Sequence, residues 1–260
     1  MASPDSHLLL STNKATGLSL NFSPRLTCAR KCPFCYATKR TKRQASLLCT
    51  KHGLPPGTIT ANTGPVTWPT QQAAYERNTS LLRRAGWEQI REEAQRLDAR
   101  LRRRGYDNIR INGCGDFFAG SVLLTHELAK LGIRVWGFSR RPEMIDRLTM
   151  LGNAFRSAGY QRPVIWGSVD RLTSLDRAED IARACVRAHL HRTNRVLAYM
   201  ALPGETAESI KAQRLWPYVH VVLGYHATGV HTKVGIPREC GKTAGRGIVC
   251  QDCKRCQGRR

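Results

Sequence analysis

Strand-like and helix-like segments alternate along most of this chain, and that alternation constrains the fold more than any other feature. Short runs rich in apolar and β-prone residues predict six strands, at residues 18–22, 109–112, 133–138, 163–169, 195–201 and 219–223. Most of them are separated by predicted helices, at residues 123–131, 142–158, 174–189 and 206–215. Because parallel strands need crossover connections, this order predicts an α/β fold with a parallel sheet or an open barrel.

The alternation breaks between the first two predicted strands. Residues 44–80 contain many Gly and Pro residues and no sustained period, which predicts an irregular insertion. A helix is predicted to follow over residues 81–104, with Arg and Glu residues that pair on its solvated face. Only the three arginines at residues 102–104 form an excess of positive charge.

Length and composition predict one main domain with a small appendage. A chain of 260 residues with 41% apolar content can bury one full core, which we assign to residues 1–225. Residues 226–260 are rich in Gly, Lys and Cys and have little to bury, so we expect a metal-binding tail. The chain has no signal-peptide pattern and no apolar run of membrane-spanning length, which predicts a cytoplasmic protein without a membrane partner.

The charge of the chain is strongly positive. Its 42 Lys and Arg residues against 19 Asp and Glu residues give a formal charge of +23. Such an excess favours binding to a phosphate backbone, although it does not separate RNA from DNA, and frequent use of Arg is the alternative explanation. Basic residues flank the cysteine-rich segments described next, at residues 30–31, 39–43, 254–255 and 259–260.

Three cysteines, Cys28, Cys32 and Cys35, follow the first predicted strand within one short loop. Three soft thiolates suit an iron-sulfur cluster or zinc. A cluster with three protein ligands leaves one iron open to a small molecule, whereas a structural site has a fourth ligand. Cys49 or Cys114 could be that fourth ligand, so the spacing alone leaves a closed site open.

This CxxxCxxC segment resembles the signature of the radical S-adenosylmethionine (SAM) superfamily, with Phe34 as the aromatic residue before the third cysteine. The resemblance implies a partial (βα)6 barrel, a 4Fe-4S cluster on the three cysteines, and SAM bound at the open iron. It also implies reductive cleavage of SAM to a 5′-deoxyadenosyl radical, with the electron delivered by a reductant protein such as flavodoxin or ferredoxin.

The resemblance further implies SAM-binding residues at the ends of later strands. The glycine-rich segment after the second strand corresponds to Gly113, Gly115 and Asp116, although Cys114 and Asp116 depart from the usual Gly-Gly-Glu form. A plain turn is the alternative reading of that segment, and helix caps are the alternative for the positions at the next two strand ends. Those positions are Ser139, Arg140, Ser168 and Asp170.

A second group of thiols lies in the tail, with CxxCxxC spacing in its last three members. Four thiolates suit a closed site that holds structural zinc or an auxiliary 4Fe-4S cluster. The group resembles the auxiliary-cluster tails of radical SAM enzymes, and the head-and-tail layout resembles small phage-encoded members. Its residues are Cys240, Cys250, Cys253 and Cys256, whereas Cys185 fits an apolar helical face.

These features predict a radical SAM enzyme that modifies a nucleic acid. A radical SAM enzyme for a peptide or small metabolite, and a zinc-stabilised nucleic-acid-binding protein without enzymatic activity, are the alternatives. Five aromatic residues and one histidine are candidates for substrate contact, although a buried or capping role is the favoured explanation for each. They are Trp68, Tyr75, Trp87, Tyr199, Tyr225 and His226.

Overall fold

A computed structural model describes residues 7–13, 17–28, 41–51, 69–113, 115–156, 160–188, 196–202 and 205–224, together with residues 53, 56 and 57. Seven strands in this part of the chain form one sheet. They are β1 (Leu10–Asn13), β2 (Gly17–Leu20), β3 (Asn108–Ile111), β4 (Arg134–Ser139), β5 (Val164–Val169), β6 (Leu197–Ala201) and β7 (Val219–Gly224).

Strand order in the sheet follows chain order from β1 to β7. The first pair is an antiparallel hairpin in which Leu10 faces Leu20, and β2 to β7 run parallel to one another. The prediction of six parallel strands in an α/β fold is therefore confirmed. The hairpin strand β1 was not predicted, because its sequence LSTN is too short and too polar to show a strand pattern.

Eight helices lie in the described part of the chain, and a 3₁₀ turn covers Trp216–Tyr218. The four predicted helices that follow β3 to β6 are confirmed, although the last is shorter than expected. The helices are α1 (Pro24–Thr27), α2 (Lys42–Lys51), α3 (Pro69–Arg84), α4 (Trp87–Arg102), α5 (Ala119–Lys130), α6 (Pro142–Arg156), α7 (Leu175–Ala188) and α8 (Ala207–Lys211).

Two predictions for the segment between β2 and β3 are wrong. The irregular insertion at 44–80 contains most of α2 and the greater part of α3, because the Gly and Pro residues that break the pattern fall between these helices. The single helix predicted at 81–104 is two helices that separate at Ala85 and Gly86. Gly86 is the N-cap of α4, and its extended backbone angles end the helical conformation between the two helices.

The main core lies between the sheet and the helices. It joins alternate strand residues such as Ile109, Val135 and Ile165 to the apolar faces of α3 to α7. Crossovers of one hand bring successive helices onto the same face of a sheet whose strands follow chain order. Cys185 lies in this core, as predicted, and burial raises the pKa of its thiol. The opposite face carries a second cluster made of strand residues, centred on Trp136 and Trp166.

Asn78 of α3 attaches the N-terminal hairpin to the rest of the fold. Its side chain is fully buried, accepts a hydrogen bond from the Leu9 N–H (2.8 Å), and donates to the carbonyl oxygens of Leu9 (2.9 Å) and Asn21 (3.1 Å). The Asn78 amide therefore satisfies three backbone groups. For Leu9, which precedes β1, it makes the hydrogen bonds that a neighbouring strand would otherwise make. The Asn-Thr-Ser sequence at this position is therefore a buried structural element.

None of the helices in the described ranges combines the length and apolar character that crossing a membrane requires. The description ends at Gly224, so the predicted tail at 226–260, with Cys240, Cys250, Cys253 and Cys256, lies outside the described residues.

Candidate functional site

The residues predicted from the strand ends lie at one edge of the sheet. Parallel strands place their carboxyl ends together, and these residues follow β2, β3, β4 and β5 in turn. Hydrogen bonds described below connect three of the four strand ends directly. The residues at this carboxyl edge are Cys28, Gly113, Gly115, Asp116, Ser139, Arg140, Ser168 and Asp170.

The segment that carries the first cysteine is held on two sides. Cys28 is partly exposed and follows the single turn α1, where its N–H donates to the Pro24 carbonyl (3.1 Å). The neighbouring Thr27 hydroxyl donates to the Ser23 carbonyl (2.9 Å) and accepts a hydrogen bond from the Asp116 N–H (2.9 Å). The Arg141 guanidinium donates to the carbonyl oxygen of Thr27 (3.5 Å). The start of the cysteine loop is thus connected to the ends of β3 and β4.

Asp116 is the centre of this network. Its Oδ1 accepts hydrogen bonds from the Ser139 hydroxyl (2.7 Å) and the Phe117 N–H (2.7 Å), and its Oδ2 accepts one from the Arg140 N–H (3.3 Å). Burial raises the pKa of Asp116, and the hydrogen bonds and the Arg141 charge offset part of that rise. Both carboxylate oxygens therefore have protein donors, which favours a positioning role for this side chain.

This pKa shift predicts how the stability of the protein depends on pH. A carboxyl whose pKa is higher in the folded state than in the unfolded state stabilises the fold less as it ionises. We expect the contribution of Asp116 to the free energy of unfolding to fall as pH rises from about 4 through its folded-state pKa. Denaturant unfolding of the wild type and of Asp116→Asn across this range measures the difference. Parallel profiles would show that the hydrogen bonds and the Arg141 charge balance the effect of burial, and a difference of opposite sign would show that they outweigh it.

The network continues to the end of β5. Arg140 forms an ion pair with the buried Asp170 (2.6 Å between Nη2 and Oδ2), and the Leu172 N–H donates to the other carboxylate oxygen (2.8 Å). Arg177 of α7 donates to the Arg140 carbonyl (3.1 Å). Because Asp170 is almost fully buried, this pair is better shielded from solvent than a surface ion pair. Ser168 is half-buried on the neighbouring strand position.

The glycine-rich turn after β3 is required by close packing. At Gly115, with φ of +86°, a Cβ would lie 2.8 Å from both the Phe22 carbonyl and the Thr27 hydroxyl. At Gly113, a Cβ would lie 2.5 Å from the Asn21 side chain. Close packing within the fold therefore explains why glycine occupies these two positions. That the backbone of this turn also contacts a ligand stays a prediction.

Asn112, the last residue before this turn, was not predicted as a site residue. Its φ is +60°, and its side chain is 5% exposed. Neither its Oδ1 nor its Nδ2 has a hydrogen-bond partner within the described ranges. The sequence signal that could have identified it is Asn before Gly at a strand end, since Asn is among the few residues that tolerate the left-handed region.

The face of the sheet opposite the helices forms a second wall of the site. Trp136 and Trp166 are buried, the Trp166 ring stacks on His220 with centroids 4.1 Å apart, and the Arg110 guanidinium lies 5.4 Å from the Trp136 ring centroid. Phe138, Met200 and Leu223 follow on their strands toward the carboxyl edge, and each of these three side chains is only partly buried. The side chains on this face are therefore buried in the middle of the sheet and more exposed toward its carboxyl edge.

Helix α2, which follows the cysteine loop in sequence, also packs at the carboxyl edge. Ala45 and Cys49 form an apolar cluster with Leu202 after β6, and Met200 and Leu172 are in contact with it. Cys49, one of the two cysteines considered as a fourth ligand, is thus 2% exposed within this cluster.

The residues predicted as candidates for substrate contact differ in their burial. Tyr199 is buried in the main core, and its hydroxyl donates to Glu205 (2.6 Å), so the interpretation as a buried aromatic is confirmed. Tyr75 is buried, whereas Trp87 is 43% exposed. The remaining predicted residues lie outside the described ranges. They are Cys32, Phe34, Cys35, Trp68, Cys114, Tyr225 and His226.

Within the described ranges, no group of three His, Cys, Asp or Glu side chains comes together as a metal site. Comparison with known families gives one informative result, since a family model with the description "Gene product 88" matches residues 6–259. Neither the curated proteins nor the solved structures give a match.

Proposed function

This chain belongs to the Gene product 88 family, and we propose that it is a radical SAM enzyme on a partial (βα)6 barrel that modifies a nucleic acid. One observation carries the proposal. Cys28, the first residue of the CxxxCxxC segment, follows the first of six parallel strands and is connected to the glycine-rich turn of the second by the 2.9 Å hydrogen bond between Thr27 and Asp116.

The described residues at the carboxyl edge are compatible with a bound cluster and nucleotide. Cys28 is partly exposed at this edge, and Asn112 contributes a buried amide without a partner among the described residues. Cys32 and Cys35 would complete the ligand set. The alternative with a fourth thiolate from Cys49 is less favoured, because that side chain packs between Ala45 and Leu202.

Cys28, Cys32 and Cys35 would hold a 4Fe-4S cluster, which would supply the electron for reductive cleavage of SAM. The chain contributes the positions of the reacting groups. Thr27, Asp116 and Arg141 hold the start of the cysteine loop, and the Arg140–Asp170 pair holds the ends of β4 and β5. The packed cluster around Trp136 and Trp166 supports β4 and β5, which end at this edge.

The charge of +23 supports a nucleic acid as the substrate. A cavity of about 330 Å³ between the N-terminal segment and α4 is lined by Arg96, Arg100 and Arg103, as well as by His7 and Glu93. Arg96 is paired with the buried Glu93, whereas Arg100 and Arg103 have no acidic partner within the described ranges. Two guanidinium groups beside a cavity suit phosphate oxygens. A flavodoxin or ferredoxin of the cytoplasm is the proposed reductant.

The chemistry is tested by anaerobic reconstitution of the full chain with iron and sulfide. We expect a broad absorbance in the blue part of the visible spectrum and formation of 5′-deoxyadenosine from SAM with dithionite. Cys253→Ala should retain part of this activity if the tail holds an auxiliary site. A wild-type protein that takes up only zinc and forms no 5′-deoxyadenosine would contradict the proposal.

The substrate class is tested separately by binding to RNA and DNA oligonucleotides at several salt concentrations. We expect affinity to fall steeply with salt, and the double variant Arg100→Gln with Arg103→Gln to reduce the slope by about 1 to 2. Arg183→Gln is the matched control, because Arg183 is an exposed arginine on α7, away from the cavity. Negligible affinity at moderate salt would favour a peptide or a small metabolite as the substrate.

A further inference from the structure

Asn112 combines two features that are unfavourable for a folded protein. Its backbone is in the left-handed region, with φ of +60°, which costs an L-residue free energy that glycine does not lose. Its carboxamide is buried, and neither amide atom has a hydrogen-bond partner in the part of the chain that the structure describes. A buried polar group without a partner loses its hydration and gains nothing in return.

The left-handed backbone favours glycine or asparagine at this position, but it does not explain the unpaired amide. The backbone N–H of Asn112 donates to the Leu20 carbonyl (3.1 Å), and a glycine would make the same hydrogen bond. A glycine would also relieve the strain and remove the unpaired amide. Strain of this kind is concentrated at functional sites. The side chain of Asn112 lies next to the glycine-rich turn, at the carboxyl edge that also carries Cys28 and Asp116.

We propose that the Asn112 carboxamide binds a ligand through a planar edge that presents a hydrogen-bond donor beside an acceptor, as adenine does. A carboxamide offers one donor and one acceptor side by side, so it forms two hydrogen bonds with such an edge and recognises adenine in the same way in protein–DNA complexes. This pairing uses the N6 and N7 edge of adenine, where hypoxanthine presents two acceptors, O6 and N7, and leaves the carboxamide oxygen unmatched.

Two molecules could supply this hydrogen-bonding edge. Both are ligands of the proposed function, on which the inference rests. One is the adenosyl group of SAM, and the other is an adenine base of the nucleic acid. The two sources share the same chemistry and are separated by experiment, with S-adenosylhomocysteine as the probe for the first and adenine-containing oligonucleotides as the probe for the second.

The test compares wild type, Asn112→Gly and Asn108→Ala in the full-length reconstituted protein. Asn108 begins the same strand at its opposite end, and its side chain bonds only to the neighbouring Asp107 among the contacts described. Calorimetry measures affinity for S-adenosylhomocysteine, adenosine and inosine, and fluorescence anisotropy measures affinity for oligonucleotides with and without adenine. Tm and iron content are measured for each protein.

We expect Asn112→Gly to have a Tm equal to or higher than that of wild type, with unchanged iron content and a loss of about 10- to 100-fold in affinity for one adenine-bearing probe. The probe that loses affinity identifies the source. Wild type should prefer adenosine to inosine, and Asn112→Gly should lose that preference. Asn108→Ala should bind as wild type does.

Unchanged affinity for every probe in Asn112→Gly would overturn the inference, as would a lower Tm or a loss of iron, because either would assign Asn112 to the fold or to the cysteine loop. These outcomes leave the proposed function intact if 5′-deoxyadenosine is still formed. Conversely, an Asn112-dependent oligonucleotide affinity in a protein that does not cleave SAM would retain the inference and exclude the radical chemistry.

Discussion

Cys28→Ala is expected to reduce the formation of 5′-deoxyadenosine from SAM to the background of the unreconstituted protein. Loss of one of three thiolates leaves two ligands for a cluster that needs three, so the cluster should not assemble at this site. Changes in the residues that only support metal ligands already cost about 10- to 100-fold in affinity or activity. The loss for a ligand itself should therefore exceed about 100-fold. Iron and sulfide content of the reconstituted protein, measured with the rate, checks this result.

Two other cysteines are matched controls for that experiment. Cys185 lies in the main core and Cys49 in the apolar cluster beside Leu202. Cys185→Ala and Cys49→Ala should both retain the cluster and the reaction, with at most a moderate loss of stability from the small cavity that each creates. A complete loss of activity in Cys49→Ala would identify a fourth thiolate and a closed site. Full activity in Cys28→Ala would remove the basis for the radical SAM assignment.

Asn78→Ala is expected to have the largest effect on stability of any single truncation at a polar residue of α3. The substitution removes three hydrogen bonds and leaves the Leu9 N–H and the carbonyl oxygens of Leu9 and Asn21 without their partner. At about 1 kcal/mol for each bond, and more for a buried group left unpaired, the free energy of unfolding should fall by about 3 kcal/mol. Urea unfolding followed by circular dichroism measures the change.

Gln71→Ala is the matched control, because Gln71 is an exposed amide on the same helix. It should change the free energy of unfolding by less than about 0.5 kcal/mol. If Asn78→Ala has an equally small effect, the chain before β1 does not depend on this side chain. In that case the hairpin would be held by its pairing with β2 and by the burial of Leu8.

The parallel strands could be predicted because each is a buried run with a β-prone composition between turn signals. The strand Val164–Val169 is an example, since five of its six residues are buried and only Ser168 interrupts its apolar run. Strand β1 could not be predicted in this way. Its four residues pair with β2 and are attached to α3 through Leu9 and Asn78, contacts that join residues 69 positions apart and have no local signal.

The candidate site divides in the same way. The resemblance to the radical SAM superfamily singled out Cys28, Asp116, Ser139 and Asp170, the predicted strands placed them at strand ends, and in the structure they lie at one edge of the sheet. The partners of Asp116 did not follow from the sequence. An acidic residue after a glycine-rich turn looks the same in sequence whether it faces a ligand or, as here, accepts hydrogen bonds from Ser139, Phe117 and Arg140.

The sequence by itself determined the class of fold, the six parallel strands and the cysteine spacing that predicts the chemistry, because each of these depends on residues close together in the chain. The tertiary structure decided the break at Gly86, the buried role of Asp116 and the unpaired amide of Asn112. These depend on which groups meet across the sheet edge, and the free energy of a buried polar group is set by neighbours that are distant in sequence.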